Sequence, residues 1–254
     1  MRVVGLHRDV LVASSRVWQT TCTIVRSEGE CFVIDSPVLP DELEILPAVL
    51  EQAGFAFTGL LATHADWDHL LGRLAFGAQA ALGVAETTAA RLAAEPGAAA
   101  RELRAFDDEW YIERAAPLSL GQVQALPVPG HCAIGDEEIE LHPADGHTAD
   151  GMAAWIGWAR VLVCGDYLSP VEIPWISEGG SRDAYLATLR RLAPLVEQAD
   201  HVVPGHGEVL DAVRAAAILR EDVAYLEALP DADLPIARRS AAQRVIHATN
   251  RERV

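Results

Sequence analysis

Basic residues are scarce in this chain of 254 residues: 20 Lys and Arg stand against 37 Asp and Glu, a formal charge of −17 at pH 7. A field of that sign repels phosphate backbones and anionic bilayers, which argues against nucleic-acid and membrane partners. No apolar run approaches the roughly 20 residues of a membrane span. Met1–Val10 (MRVVGLHRDV) lacks the apolar stretch and small-residue cleavage site of a signal peptide, so none is expected. Cysteines are few: Cys22, Cys31, Cys132 and Cys164, without CxxC spacing. They read as reduced structural thiols of a cytoplasmic protein, with a Cys22–Cys31 bridge across a hairpin as the lesser alternative. Low-complexity linkers and fixed-period repeats are missing too, and one domain over residues 1–254 is expected. Half of the residues are hydrophobic and 22% are charged. That is enough to bury a core, and it excludes a disordered chain or a disulfide-stapled miniprotein.

Thr20–Val25 (TTCTIV) and Cys31–Asp35 (CFVID) read as strands of a meander over residues 10–35. Pro40–Ala53 has helical spacing, with Leu43, Leu46, Val49 and Leu50 on one face and Gly54 as a stop. Thr58–Thr63 is a short apolar strand that runs into a polar cluster. Ala78–Ala115, rich in Ala, Arg and Glu, reads as helices broken at Pro96-Gly97. Strands return at Glu138–His142, Ala153–Trp158, Arg160–Cys164 and His201–Pro204. Helices are expected at Ser181–Gln198 with Ser181 as cap, at Val209–Leu229 and at Ala237–Asn250. Strands, helices, strands, helices in that order suggest two packed sheets with helices outside.

The chemistry concentrates at four places. Thr63–His69 reads T-H-A-D-W-D-H and puts His64, Asp66, Asp68 and His69 within six residues. Imidazole nitrogens and carboxylate oxygens are common ligands of first-row divalent ions. Asp145–Thr148 (DGHT) carries His147, Gly165-Asp166 follows an apolar strand directly, and Pro204–Gly207 (PGHG) carries His206. Each lies at the C-terminal end of an expected strand, where sites built on a scaffold commonly sit. Each taken alone is an ordinary turn; together and in this order they point to a metal site.

These motifs resemble the metallo-β-lactamase superfamily, whose signature is T-H-x-H-x-D-H, then Gly-His, Gly-Asp after a strand, and a further Gly-His. The resemblance spans about residues 10–230. It implies an α/β fold, an αββα four-layer sandwich, with a dinuclear metal centre. His64, Asp66 and His147 would hold the first ion, Asp68, His69 and His206 the second, and Asp166 would bridge them. A water between two divalent ions would be the nucleophile, with Asp68 as the catalytic residue that orients it and handles its proton. Zinc is the expected ion. Asp66 departs from the pattern, which has His there; a harder, more anionic donor raises the tolerance for iron or manganese. On this reading Asp66→His preserves or improves zinc binding. The roles of Trp67, Tyr167, Ser169 and the segment 171–181 are open, and His131, His142 and His201 match no ligand position.

The leading function is hydrolysis of an ester, thioester, lactone or amide of a small molecule, as in glyoxalase II-like thioesterases and lactonases. Two alternatives come from other classes. One is an iron redox enzyme, as in the flavodiiron and persulfide dioxygenase branches. The other is a low-turnover ligand-binding regulator. The apolar C-terminal helices could pack on their own sheet or on a second chain, which leaves a homodimer open.

Overall fold

The computed structural model describes residues 1–254. A first sheet takes β1 (Arg2–His7), β2 (Val10–Ser14), β3 (Thr21–Ser27), β4 (Glu30–Ile34), β5 (Gly59–Leu61), β6 (Leu82–Ala85) and β7 (Gln124–Leu126), side by side in that order. The first four are antiparallel and from β4 onward the pairing is parallel. A second sheet takes β8 (Gly130–Ile134), β9 (Glu137–Pro143), β10 (Met152–Ile156), β11 (Val161–Val163) and β12 (His201–Val203). It is antiparallel except for the last pair, β11 and β12.

Strand periodicity sorts the apolar side chains onto two faces. Val25, Ile34 and Leu61 of the first sheet meet Leu141, Ala154 and Val163 of the second in a core between the sheets. Their neighbours Ile24, Val33 and Leu60 point the other way, into a core with α1 (Pro40–Ala53) and α4 (Ala98–Trp110). On the far side Trp155 and Leu162 face α5 (Arg182–Gln198) and α6 (Ala212–Ala228). Three cores separate four layers, helix, sheet, sheet, helix, which is the αββα sandwich. Burying each large aliphatic side chain contributes about 1.5–3 kcal/mol, offset largely by chain entropy. No helix is long and apolar enough to cross a membrane.

Local signals set several elements as expected. α1 starts with Pro40 in its first turn, turns Leu43, Leu46 and Leu50 inward, and stops at Gly54, whose φ of 73° is left-handed. Glu42 accepts the Leu39 N–H at 3.3 Å and also the Ser15 hydroxyl at 2.6 Å, fixing the helix start to the end of β2. The Ser181 hydroxyl accepts the Ala184 N–H at the start of α5. Two elements differ from expectation. β6 lies inside the stretch read as helical: all four of its residues are buried, and a short apolar run without alternation carries no period to tell strand from helix. β1, an edge strand, adds to the meander at its N-terminal side. The four cysteines are free thiols, with Cys22, Cys31 and Cys164 buried.

Candidate metal centre

Both sheets send loops to one shared rim. Past β5 the chain makes a single 3₁₀ turn, Trp67–His69. His147 lies four residues past β9, Asp166 three past β11 and His206 three past β12. These loops bring together all seven residues singled out from the sequence. Asp66 Oδ2 lies 3.6 Å from His64 Nε2 and 3.3 Å from His147 Nε2. Asp68 Oδ2 lies 3.7 Å from His69 Nε2 and 3.5 Å from His206 Nε2. Asp166 stands between the two tripods. Its Oδ2 faces His64 and His147 at 3.8 and 3.3 Å, and its Oδ1 faces His69 and His206 at 3.1 and 3.4 Å.

These donors could hold divalent ions. Bonds of roughly 2.0–2.1 Å in a tetrahedral site imply ligand–ligand edges of about 3.3–3.4 Å, close to the separations found. His64 Nε2, His69 Nε2 and Asp166 Oδ1 are buried without a hydrogen-bond partner. Unsatisfied buried polar atoms are rare, and three of them in one cluster, spread over both tripods, suit bound cations. Glu172 is a further carboxylate in reach, grouped with Asp166 and His206.

All four imidazoles are tethered by their other nitrogen. His69 Nδ1 is 3.0 Å from Asp35 Oδ2, and His147 Nδ1 is 2.8 Å from the Trp175 carbonyl. His64 Nδ1 is 3.1 Å from Thr63 Oγ1, and His206 Nδ1 is 3.3 Å from Thr20 Oγ1. Such partners fix ring orientation and leave Nε2 for the centre. Asp35 closes β4 in the left-handed region at φ 60°, a strained position for a non-glycine residue. The Thr63 N–H and hydroxyl donate to its carboxylate at 2.8 and 2.9 Å and hold it there. Gly205 approaches so closely that a Cβ would collide with Asp166 Oδ1 and lie 3.0 Å from His69 Cε1.

Asp66 and Asp166 on one side and His69, His147 and His206 on the other favour one another's charged forms. Burial pushes the Asp66 carboxyl up, but His64 and His147 outweigh it and hold the group well below the usual range. Asp166 is also held low, against burial, by His206, His69 and His64. Burial lowers the histidines; the carboxylates overcome it, raising His147 to about 9, His206 to about 10 and His69 well above its ordinary value. A cation bound among the same atoms would displace those protons.

The open residues find places here. The Trp67 ring packs 4.9 Å from Phe106 and lines the cleft. The Tyr167 hydroxyl accepts the His147 N–H at 3.1 Å and donates to the Ala144 carbonyl. Ser169 donates to the His206 carbonyl at 2.7 Å and accepts the Glu172 N–H at 3.0 Å. The segment 171–181 puts Glu172, Trp175, Ser177 and Glu178 on the cleft. His131 and His142 stand beside Glu138 and Glu140 on β8 and β9, and His201 begins β12; none joins the cluster. Sequence reading missed Asp35, Glu172 and two residues behind Asp66, Arg91 and Asp150. The Arg91 guanidinium lies 2.9 Å from both Asp66 Oδ1 and Asp150 Oδ1. Asp35 left one signal, a carboxylate closing an apolar strand at this rim.

Above the centre opens a cleft of about 690 Å³. Trp18, Trp67 and Trp175 supply its aromatic surface, Glu95, Glu102, Glu172 and Glu178 its acidic side chains, and Arg91 and Arg253 its cations. The helix α7 (Ala241–Glu252) closes one side with Gln243 and Ile246. It is fastened to the 173–176 segment: the Ile173 N–H donates to Gln243 Oε1 at 2.7 Å and the Ile176 N–H to Asn250 Oδ1 at 2.9 Å.

Several known proteins are similar to this chain. Hydroxyacylglutathione hydrolase of Rhodospirillum rubrum is 25% identical over 199 residues, which cover 78% of this chain and 64% of that protein, so the chain spans less than two thirds of its relative. A metallo-beta-lactamase family protein from Thermus thermophilus superposes with a TM-score of 0.69 at 20% identity, covering 88% of this chain and 81% of the other. TTHA1623, solved in a di-iron-bound form, gives 0.64 at 22% identity over 81% and 96%. At such identities the two structures speak for the fold. The family model of the metallo-beta-lactamase superfamily matches residues 15–206, a span that includes all seven clustered residues, and the chain belongs to that superfamily.

Proposed function

We propose that this protein is a dinuclear metallohydrolase that cleaves an ester, thioester, lactone or amide bond of a small molecule. Zinc is the ion this reading proposes. His64, Asp66 and His147 would hold one ion and Asp68, His69 and His206 the other, with Asp166 facing both groups. The observation that carries the reading is the pair of tripods facing the two oxygens of one carboxylate, with buried Nε2 and Oδ1 atoms left unpaired. Ions bound there supply a nucleophilic water of lowered pKa and polarise the substrate carbonyl. Asp68, which also lines the cleft, would orient a water at the centre and take its proton. The tethered imidazoles keep the donors in place, so the geometry does not have to be rebuilt at each turnover.

The cleft volume suits a drug-sized molecule. Its four glutamates outnumber its two arginines, which favours a substrate with a neutral or cationic body and disfavours polynucleotides. The Rhodospirillum rubrum relative is named for hydrolysing a hydroxyacylglutathione, which is a thioester, and this supports including thioesters in the class. A second reading, an iron centre for redox chemistry, is favoured by the oxygen-rich donor set, in which Asp66 and Glu172 join Asp68 and Asp166.

The test is metal content per chain, by elemental analysis of protein purified without added metal or chelator, followed by an ester, thioester, lactone and amide panel. About two zinc ions and turnover lost in Asp166→Ala support the hydrolase. Mostly iron and no turnover move the assignment to the redox reading. A fully active Asp166→Ala variant overturns the mechanism.

A further inference from the structure

Asp66 is held from two sides. Its Oδ2 points to the centre, 3.3 Å from His147 Nε2, while its Oδ1 is 2.9 Å from Arg91 Nη2. The other arm of that guanidinium, Nη1, is 2.9 Å from Asp150 Oδ1. Asp150 is 1% exposed and its Oδ2 accepts the Ala65 N–H at 3.0 Å. The contacts close a ring: Ala65 precedes Asp66, Asp66 pairs with Arg91, Arg91 with Asp150, and Asp150 returns to the Ala65 backbone. Arg91 projects from α3 (Glu86–Ala94), an element otherwise made mostly of alanine and threonine. A planar fork with two occupied arms fixes the plane of a carboxylate in a way that a lysine cannot.

We infer that Arg91 is a positioning residue of the metal site, which makes Asp66 a one-oxygen, charge-compensated donor in place of a histidine. The inference rests on the metallohydrolase reading above. With Oδ1 occupied by the guanidinium, only Oδ2 is free for an ion, so chelation by both oxygens is blocked. The cation on Arg91, shared with Asp150, also offsets part of the charge that distinguishes a carboxylate from a neutral imidazole. Asp66 and Arg91 therefore form one unit, and on this inference Asp66→His weakens zinc binding where the motif alone leads one to expect it preserved or improved. That exchange removes one of the guanidinium's two carboxylate partners, leaving the arm that Asp66 held facing an imidazole and a divalent ion, with Asp150 still paired to the other.

The experiment measures Zn2+ and Mn2+ affinities by competition with a chromophoric chelator. It uses the wild-type chain, Asp66→His, Arg91→Met and the double variant. Asp66→His is expected to weaken zinc at one site at least tenfold, and adding Arg91→Met to recover most of that loss. Arg91→Met alone frees Oδ1, hardens the donor set and shifts the zinc-to-manganese preference at least tenfold toward manganese. Independent effects at the two positions, or an Asp66→His variant that binds zinc as well as wild type, would overturn the inference. Should the methionine variant fail to fold, Arg91→Lys serves instead, because an ammonium cannot span Asp66 and Asp150; wild-type affinities for both ions in that variant would also overturn it. A wild-type chain that takes up neither ion refutes the underlying reading instead, so the two failures are distinct.

Discussion

Asp35→Asn is the most informative single exchange. It is nearly isosteric, and the site is buried, so the backbone has no reason to move. The carboxylate now accepts the Thr63 N–H on Oδ1 and faces His69 Nδ1 with Oδ2. An amide offers one acceptor and one donor in those two places. If its oxygen keeps the Thr63 N–H, its NH2 confronts His69 Nδ1, which must then accept. The ring proton moves to Nε2, and the atom that faces Asp166 Oδ1 at 3.1 Å loses the lone pair an ion needs. If the amide flips, the NH2 confronts the Thr63 N–H and leaves a buried donor unpaired, at about 1–3 kcal/mol. Changes to such outer partners of metal-binding histidines weaken binding about 10–100-fold, which is about 1.4–2.7 kcal/mol. The expected result is that loss at one of two ions, read by chelator competition, with the other ion little affected. Unchanged affinity at both, in a variant with wild-type thermal stability, would refute the tethering argument.

Two further outcomes are expected. In the metal-free protein, His147 at about 9 and His206 at about 10 lie above the unfolded value of about 6.5, so their stabilisation is complete below that value and is lost as pH rises through 9 and 10. Asp66 and Asp166, held low, act oppositely and lose their stabilisation only in acid. The Tm of chelated protein should fall between pH 7 and 10 while that of metal-loaded protein stays nearly level; a level chelated profile counts against the cluster. Asn250→Ala should cost about 1–3 kcal/mol in denaturant unfolding, because the buried Ile176 N–H loses its acceptor and the Pro174 carbonyl its donor. The same variant loosens α7 beside the cleft, so KM should rise more than kcat falls; unaltered stability and KM would show that α7 is not fastened there.

Much of this fold was readable because its signals are local. Pro40, the Leu43–Leu46–Leu50 face and Gly54 define α1 within fifteen residues, and the Gly-flanked His147, Asp166 and His206 each follow an apolar strand. The superfamily motif then tied those separate turns to one rim. What escaped depends on distance along the chain. Arg91 sits in an alanine-rich helix, 25 positions from Asp66 and 59 from Asp150, and nothing around it in sequence marks it as different from Arg101 or Arg104. Asp35 acquires its meaning from His69, 34 residues on. β6 escaped for the opposite reason: four apolar residues buried on both faces carry no period at all.

Each tripod draws two donors from the rim of the first sheet and one from the rim of the second: His64 and Asp66 with His147, Asp68 and His69 with His206. An ion in either place would therefore be a cross-link between the two halves of the sandwich, in parallel with the apolar layer between them. Prying the sheets apart would mean surrendering the ion, so metal concentration becomes a stabilising variable, about 2.7 kcal/mol at a hundredfold excess over Kd. Depletion would then loosen the seam between the sheets before it touched either helical layer, and hydrogen exchange in β10 and β11 would report it.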